Sequence, residues 1–218
     1  VEEVARAYVE AGSEVILTNT FSANRITLAR QGLADQVGAL NRAGVEISRR
    51  AAAGRAKVFA SVGPTGVMLM MGETKPEDVQ SAFAEQVRAM ADGGADAIVF
   101  ETFSDPAELA LGIAAAKETG LPVVACMVFD SGRDHDRTLM GTTPEQAAEK
   151  LAAAGADCIG SNCGQGIDGF VKIARRLRAA TELPLWIKPN AGLPEIVGEQ
   201  AVYAQTPEQF AAVVPQLV

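Results

Sequence analysis

The chain has 218 residues, of which 48% are hydrophobic and 21% charged, and a formal net charge of −8. This composition supports one large α/β domain with a sizeable core and excludes a disordered chain. The acidic balance, without any basic cluster, argues against nucleic acid and anionic membranes, and the apolar runs fall far short of the ~20 residues of a membrane span.

The opening VEEVARAYVEAG sets Val1, Val4, Ala5, Tyr8 and Val9 at helical spacing and stops at Gly12. A chain that begins inside a helix pattern, with no lead-in and no signal-peptide pattern, is expected to lack something upstream. The apolar run in EAGSEVILTNT (10–20) predicts a strand. Helical patterns follow in SANRITLARQG (22–32) and DQVGALNRAGVEISRRAAAG (35–54), and a second strand in KVFASVGP (57–64). PEDVQSAFAEQVRAMADG (76–93) opens a helix on proline, and DGGADAIVFET (92–102) carries the third strand. DPAELALGIAAAKETG (105–120), TPEQAAEKLAAAG (143–155) and DGFVKIARRLRAAT (168–181) read as helices between strands in PVVACMVF (122–129), AAGADCIGSNC (153–163) and PLWIKPN (184–190). A last helix is expected in TPEQFAAVVPQL (206–217).

Segments 10–20, 92–102 and 153–163 resemble one another. Each is a helix end, a small-residue turn with a glycine suited to the left-handed conformation, an acidic residue, an apolar run and then polar residues. The runs are too short for helices and fit strands buried on both faces. Strand and helix alternate throughout, which means a parallel sheet with crossover helices. No GxGxxG follows the first strand, so no dinucleotide fingerprint is present. The fold class is therefore α/β, a parallel (β/α)8 TIM-type barrel in one domain over residues 1–218. Such a barrel has eight strands in typically about 250 residues, so this sequence is expected to lack the first strand and the last βα unit. An open doubly wound sheet is the alternative, disfavoured by the polar residues that cluster at every strand end.

In a barrel the chemistry sits at the carboxyl ends of the strands. Those ends present Thr18, Asn19 and Thr20; Ser61; Glu101 and Thr102; Phe129 and Asp130; Asn162 and Cys163; and Lys188, Pro189 and Asn190. His135 is the single histidine and lies in the polar loop SGRDHDRTLMG, where a solvated role outweighs a catalytic one. The three cysteines, an odd count at uneven spacing, suit a reducing cytoplasm rather than a disulfide framework. Cys126 and Cys158 lie inside apolar runs and read as core. Cys163, between glycines in GSNCGQG (160–166), reads either as a small apolar filler or as a thiolate ligand for a soft metal such as zinc. One cysteine cannot hold zinc, since catalytic sites usually take three protein ligands. Glu101 ends the apolar run AIVF. A carboxylate there is either paired in a salt bridge or reserved for a cationic ligand, and Asp105 before Pro106 is the better helix cap, which favours the ligand role.

GSEVILTNTFSANR, ASVGPTG, ADAIVFETFSD, GSNCGQG and KPNAGLP, in this order along nearly the whole chain, resemble the homocysteine S-methyltransferase family and, within it, the homocysteine-binding barrel of cobalamin-dependent methionine synthases. The resemblance implies zinc-dependent transfer of a methyl group to the thiol of homocysteine to form methionine. It implies Zn2+ as cofactor and methylcobalamin as methyl donor, carried on a separate cobalamin-binding domain or protein. Cys163 matches the first zinc cysteine of the family's GxNC motif. Glu101 matches the acidic residue that receives the amino group of homocysteine. Ser61 and Val62 lie on the strand whose end is expected to hold the carboxylate through backbone N–H groups. Asn190 matches an asparagine near the metal, a stand-in ligand when substrate is absent, and Thr18, Asn19 and Thr20 line the family's pocket.

The family's GGCC motif, with its two further zinc cysteines, does not occur in this sequence. The missing ligands and the missing strands are expected to be the same segments, so the chain alone is expected to hold no stoichiometric zinc and to be inactive. Two other readings remain open. One is a homocysteine methyltransferase that uses S-methylmethionine or betaine. The other, of a different class, is a metal-free binding module. A barrel acting on a phosphorylated metabolite is weaker, because KPNAGLP stands where a glycine-rich phosphate loop would follow the seventh strand.

Overall fold

The computed structural model describes residues 1–218 apart from Gln165, Glu199 and Ala204. Its strands are β1 (Val15–Leu17), β2 (Lys57–Val62), β3 (Ala97–Phe103), β4 (Val123–Met127), β5 (Cys158–Cys163), β6 (Leu185–Pro189), β7 (Pro194–Val197) and β8 (Gln200–Tyr203). Its helices are α1 (Glu2–Glu10), α2 (Arg25–Ala29), α3 (Val37–Ala52), α4 (Pro76–Asp92), α5 (Pro106–Lys117), α6 (Pro144–Ala153), α7 (Ile167–Ala180) and α8 (Pro207–Val213).

The first six strands form one sheet in the order β1-β2-β3-β4-β5-β6, and every pair is parallel. Strand order equal to chain order is decisive between the two topologies. A doubly wound sheet reverses direction at a switch point, whereas a barrel advances by one strand per crossover. The protein is thus a curled arc of a (β/α) barrel, six parallel strands with helices packed on its outer face.

Alternation along the strands divides the apolar residues between two faces. Val58, Ala60, Ile98, Phe100, Val123, Ala125 and Ile159 pack with the helices into one large core. Val99, Val124 and Cys126 face the concave side, against the partly buried Leu17, Phe59, Cys158 and Trp186. Phe59 and Trp186 stack there at 5.6 Å. β3 interrupts its own alternation. Its register with β4 shifts between Phe100 and Phe103, and Thr102 takes φ 68°. The bulge lets Phe100 and Phe103 both reach the outer core, where they meet each other at 5.8 Å and Phe83 of α4 at 5.8 and 6.0 Å.

The repeated turns behave as their sequences require. Gly12, Gly94 and Gly155 have φ of 97°, 86° and 93°, a region a side chain would oppose. The acidic residue after each turn sits at the amino end of its strand. Asp96 accepts the Val58 N–H at 2.8 Å and pairs with Lys57, while Asp157 accepts the Val123 N–H at 2.8 Å and pairs with Lys117. Both tie one strand start to its neighbour. Asp105 caps α5 by accepting the Ala107 N–H at 2.8 Å, the cap expected of it.

The helix expected over 22–32 shortens to α2, Arg25–Ala29, because Asn24 caps it from inside that range by accepting the Thr27 N–H. A hairpin unseen in the sequence reading follows β6: β7 and β8 pair antiparallel, apart from the main sheet. Among the described residues, no helix is long and apolar enough to cross a membrane.

Candidate functional site at the carboxyl ends of the strands

Two groups of polar side chains gather where β2, β3, β5 and β6 end. The first is built on Glu101, which is 6% exposed. Its Oε1 accepts the Ser61 hydroxyl of β2 at 2.5 Å, and its Oε2 lies 2.8 Å from the Lys188 ammonium of β6. Glu101 is therefore paired within the protein, rather than standing unpaired for a ligand. Ser61 is itself held by its backbone. Its N–H donates to Thr18 Oγ1 at 2.9 Å, Thr18 and Thr20 hydroxyls meet at 2.6 Å, and the Thr20 hydroxyl donates to the Ser61 carbonyl at 2.8 Å. Gln86 of α4 supports this loop from behind, donating to the Thr20 carbonyl at 3.0 Å and to Asn41 at 3.2 Å.

The second group surrounds the sulfur of Cys163. Asn162, fully buried, accepts the Thr102 N–H through Oδ1 at 2.7 Å. Its Nδ2 donates to Thr102 Oγ1 at 2.7 Å and to Cys163 Sγ at 3.2 Å. The Thr102 hydroxyl lies 3.3 Å from Cys163 Sγ, a contact in which either atom can donate. The sulfur thus meets one amide donor, Asn162 Nδ2, and one hydroxyl, that of Thr102. Two strained backbones hold this arrangement: Thr102 at φ 68° and Cys163 at φ 62°, both in the left-handed region that non-glycine residues avoid. The preceding Gly160 makes room, since a Cβ there would collide with the Trp186 carbonyl of β6. The two groups adjoin, because Glu101 and Thr102 are consecutive and Lys188 stands in register with Asn162.

The residues singled out in sequence divide as follows. Glu101, Ser61, Thr18, Thr20 and Cys163 share this end of the sheet. Asn19 is exposed, beside Thr18 and Thr20. The Val62 side chain turns outward into the helix-facing core. The amides expected to take a carboxylate are largely committed. Ser61 N–H binds Thr18, Gly63 N–H binds the Phe21 carbonyl at 2.7 Å, and Thr65 N–H binds Glu108 at 2.8 Å. Asn190 is exposed, its N–H donating to the Cys163 carbonyl at 2.9 Å and its Nδ2 to the Gly164 carbonyl at 3.0 Å. Asn190 thus steadies the chain that carries Cys163.

The other cysteines follow their core reading. Burial pushes the Cys126 thiol well up, and burial, with Asp157 nearby, raises Cys158 to about 11. Both stay protonated at neutral pH. His135 lies exposed in the loop after β4, with Nδ1 2.9 Å from the Asp130 carbonyl. Thr102, Asn162 and Lys188 read in sequence as strand-end residues without a role of their own, and Gln86 is not singled out there. Gln86 lies inside α4, away from any strand end, so the strand-end signal could not mark it.

Among the described residues, no three His, Cys, Asp or Glu side chains are placed to hold a metal ion. Cys163, a soft donor on an accessible strand end, fits one position of a zinc site, and the described residues do not complete one.

A family model described as Homocysteine S-methyltransferase matches residues 1–218. The methionine synthase of Mycobacterium tuberculosis is 30% identical over 222 residues, covering 96% of this chain and 18% of that protein. That of Mycobacterium leprae is 29% identical over the same length and coverage. The chain therefore spans about a fifth of these relatives. The oxidized form of the Escherichia coli homocysteine methyltransferase MmuM superposes with a TM-score of 0.78 at 25% identity, covering 99% of this chain and 75% of that one. Its metallated form gives 0.80 at 24%. By the match along its whole length, this chain belongs to the homocysteine S-methyltransferase family.

Proposed function

We propose that this chain is the substrate barrel of an enzyme that methylates the thiol of homocysteine to give methionine. The observation that carries the reading is the adjacency of the two groups: a buried carboxylate suited to an ammonium, next to a cysteine sulfur held by the Asn162 amide and the Thr102 hydroxyl. An amino acid whose amino group reaches Glu101 has its side chain free to extend toward Cys163. Ser61 orients the carboxylate by occupying Oε1, and Oε2, which Lys188 meets at 2.8 Å, is the oxygen proposed to take the ligand's ammonium.

In the reaction the substrate sulfur forms a bond to an electrophilic methyl carbon. The bond from that carbon to the donor breaks, with its electron pair leaving on the donor. Zinc is part of the proposal, with Cys163 as one ligand, and when bound it would hold the substrate sulfur as thiolate at neutral pH. Asn190 is proposed as a second, replaceable ligand through Oδ1, because its Nδ2 is engaged with Gly164. The remaining ligands are proposed to be the two cysteines of the family's GGCC motif, which does not occur in these 218 residues, so the chain by itself is expected to bind no stoichiometric zinc and to transfer no methyl group. Methylcobalamin is the proposed donor, presented by a cobalamin-binding domain or protein at the carboxyl-end face, where the thiol is reached. A cytoplasmic setting accords with the three free cysteines, Cys126, Cys158 and Cys163.

The test is methionine formation by the full protein, supplied in turn with methylcobalamin, S-methylmethionine and betaine. Turnover with methylcobalamin alone supports the proposal as stated. Turnover with another donor alone keeps the acceptor and replaces the donor. Homocysteine binding without turnover on any donor favours a binding module and overturns the enzymatic reading.

A further inference from the structure

The ion pair at the site is lopsided. The Glu101 side chain is 8% exposed and the Lys188 side chain 46% exposed. Glu101 rises from β3 and Lys188 from β6, so the pair reaches across the concave face over the ends of β4 and β5. Both Glu101 oxygens are occupied, Oε1 by Ser61 at 2.5 Å and Oε2 by Lys188 at 2.8 Å. A carboxylate this buried needs a cation, since leaving it unpaired costs far more than the pair itself returns. The lysine pays little for leaving: its ammonium sits on a flexible four-carbon stem that is already half in solvent. An amino-acid ligand brings the same group, a primary ammonium with three N–H donors.

We propose that Lys188 is the resident counter-ion of Glu101 in the ligand-free protein, displaced from Oε2 by the α-ammonium of the incoming substrate and released to water. The inference rests on the homocysteine reading in requiring a ligand with an α-ammonium. The exchange leaves the charge around Glu101 unchanged: one ammonium arrives and one departs, and no proton moves. Lys188 is then a specificity-determining residue that competes with substrate. A thiol lacking the amino group cannot displace it, and a ligand with an ammonium must do so before it is held. The competition acts on ground-state binding, so it sets KM and leaves kcat alone.

The experiment is calorimetric titration of the full protein with L-homocysteine and with its deamino analogue 4-sulfanylbutanoate. Wild type is compared with Lys188→Met, which keeps the stem and removes the charge, and with Lys188→Gln as a second variant should the first not fold. Removing the competitor is expected to tighten homocysteine binding roughly tenfold in either variant, with no gain for the deamino analogue. Lys188→Arg, whose guanidinium grips a carboxylate through two parallel bonds, is expected to weaken homocysteine binding. Weaker binding in Lys188→Met overturns the proposal and makes Lys188 a direct contact to substrate. Unchanged binding overturns it and makes the pair merely structural. Failure of wild type to bind homocysteine at all overturns the functional reading itself, and this inference with it.

Discussion

Asp96 and Glu101 lie five residues apart on the same strand unit, and they show what its two ends are for. At the amino end Asp96 faces solvent in part, accepts a backbone N–H from Val58 and pairs with an exposed lysine, Lys57. At the carboxyl end Glu101 is buried, and its partners are a hydroxyl and a lysine from two other strands. The first carboxylate closes a strand start that any barrel must close. The second occupies a buried position that core packing would have given to an apolar residue. Burial of charge without a packing reason is the mark of a site. The β3 bulge makes the difference possible, since it sends Phe100 and Phe103 outward together and leaves Glu101 and Thr102 at the concave rim.

The contrast can be broken most forcefully at Cys163. Cys163→Ser in the full protein is expected to lower kcat/KM for methionine formation by about 10³ or more, roughly 4 kcal/mol of transition-state stabilisation, with thermal unfolding little changed. A second substitution separates support from chemistry. Asn162→Ala removes the donor to the sulfur and both bonds to Thr102. It is expected to cost about 10- to 100-fold in activity and about 1–3 kcal/mol of stability, read by kinetics and by urea unfolding.

At the amino ends the effects shrink and change kind. Asp96→Asn keeps an acceptor for Val58 and loses the pair with Lys57, which is 69% exposed. It is expected to cost under about 1 kcal/mol in urea unfolding and to leave turnover at the wild-type rate. Smaller still is the acid response of Glu145. The Arg176 hydrogen bond holds its carboxyl down to about 2, overcoming the upward push of burial. A depressed carboxylate stabilises the fold above its unfolded value, here 4.5, and that contribution fades as pH falls from there toward 2. Glu145→Gln, which leaves the Arg176 bond to Asp136 in place, is expected to shift the acid-unfolding midpoint slightly upward, with a slight loss at neutral pH because the Glu145 side chain is half exposed.

Much of this was legible in the chain. Apolar runs that end in polar residues marked every strand of the barrel and brought Glu101, Ser61 and Cys163 forward as site residues. The glycines of the repeats announced their left-handed turns. The pairing of Glu101 was not legible, because Lys188 lies 87 positions away and meets it only when the sheet curls. The hairpin was missed for a different reason. β8 is exposed along its length, so it has no buried face to impose an alternating pattern. The bulge in β3 left no glycine or proline as a sign, since the left-handed residue is Thr102 itself.

Homocysteine binding by Glu101→Gln and Asp96→Asn, measured side by side by calorimetry on the full protein, tests the division of labour between the strand ends most directly. Glu101→Gln is expected to weaken binding by about 100-fold, the loss of one charge-assisted hydrogen bond to an ammonium, while Asp96→Asn binds as wild type does. Equal affinity in all three proteins would contradict the assignment of the carboxyl ends as the substrate site.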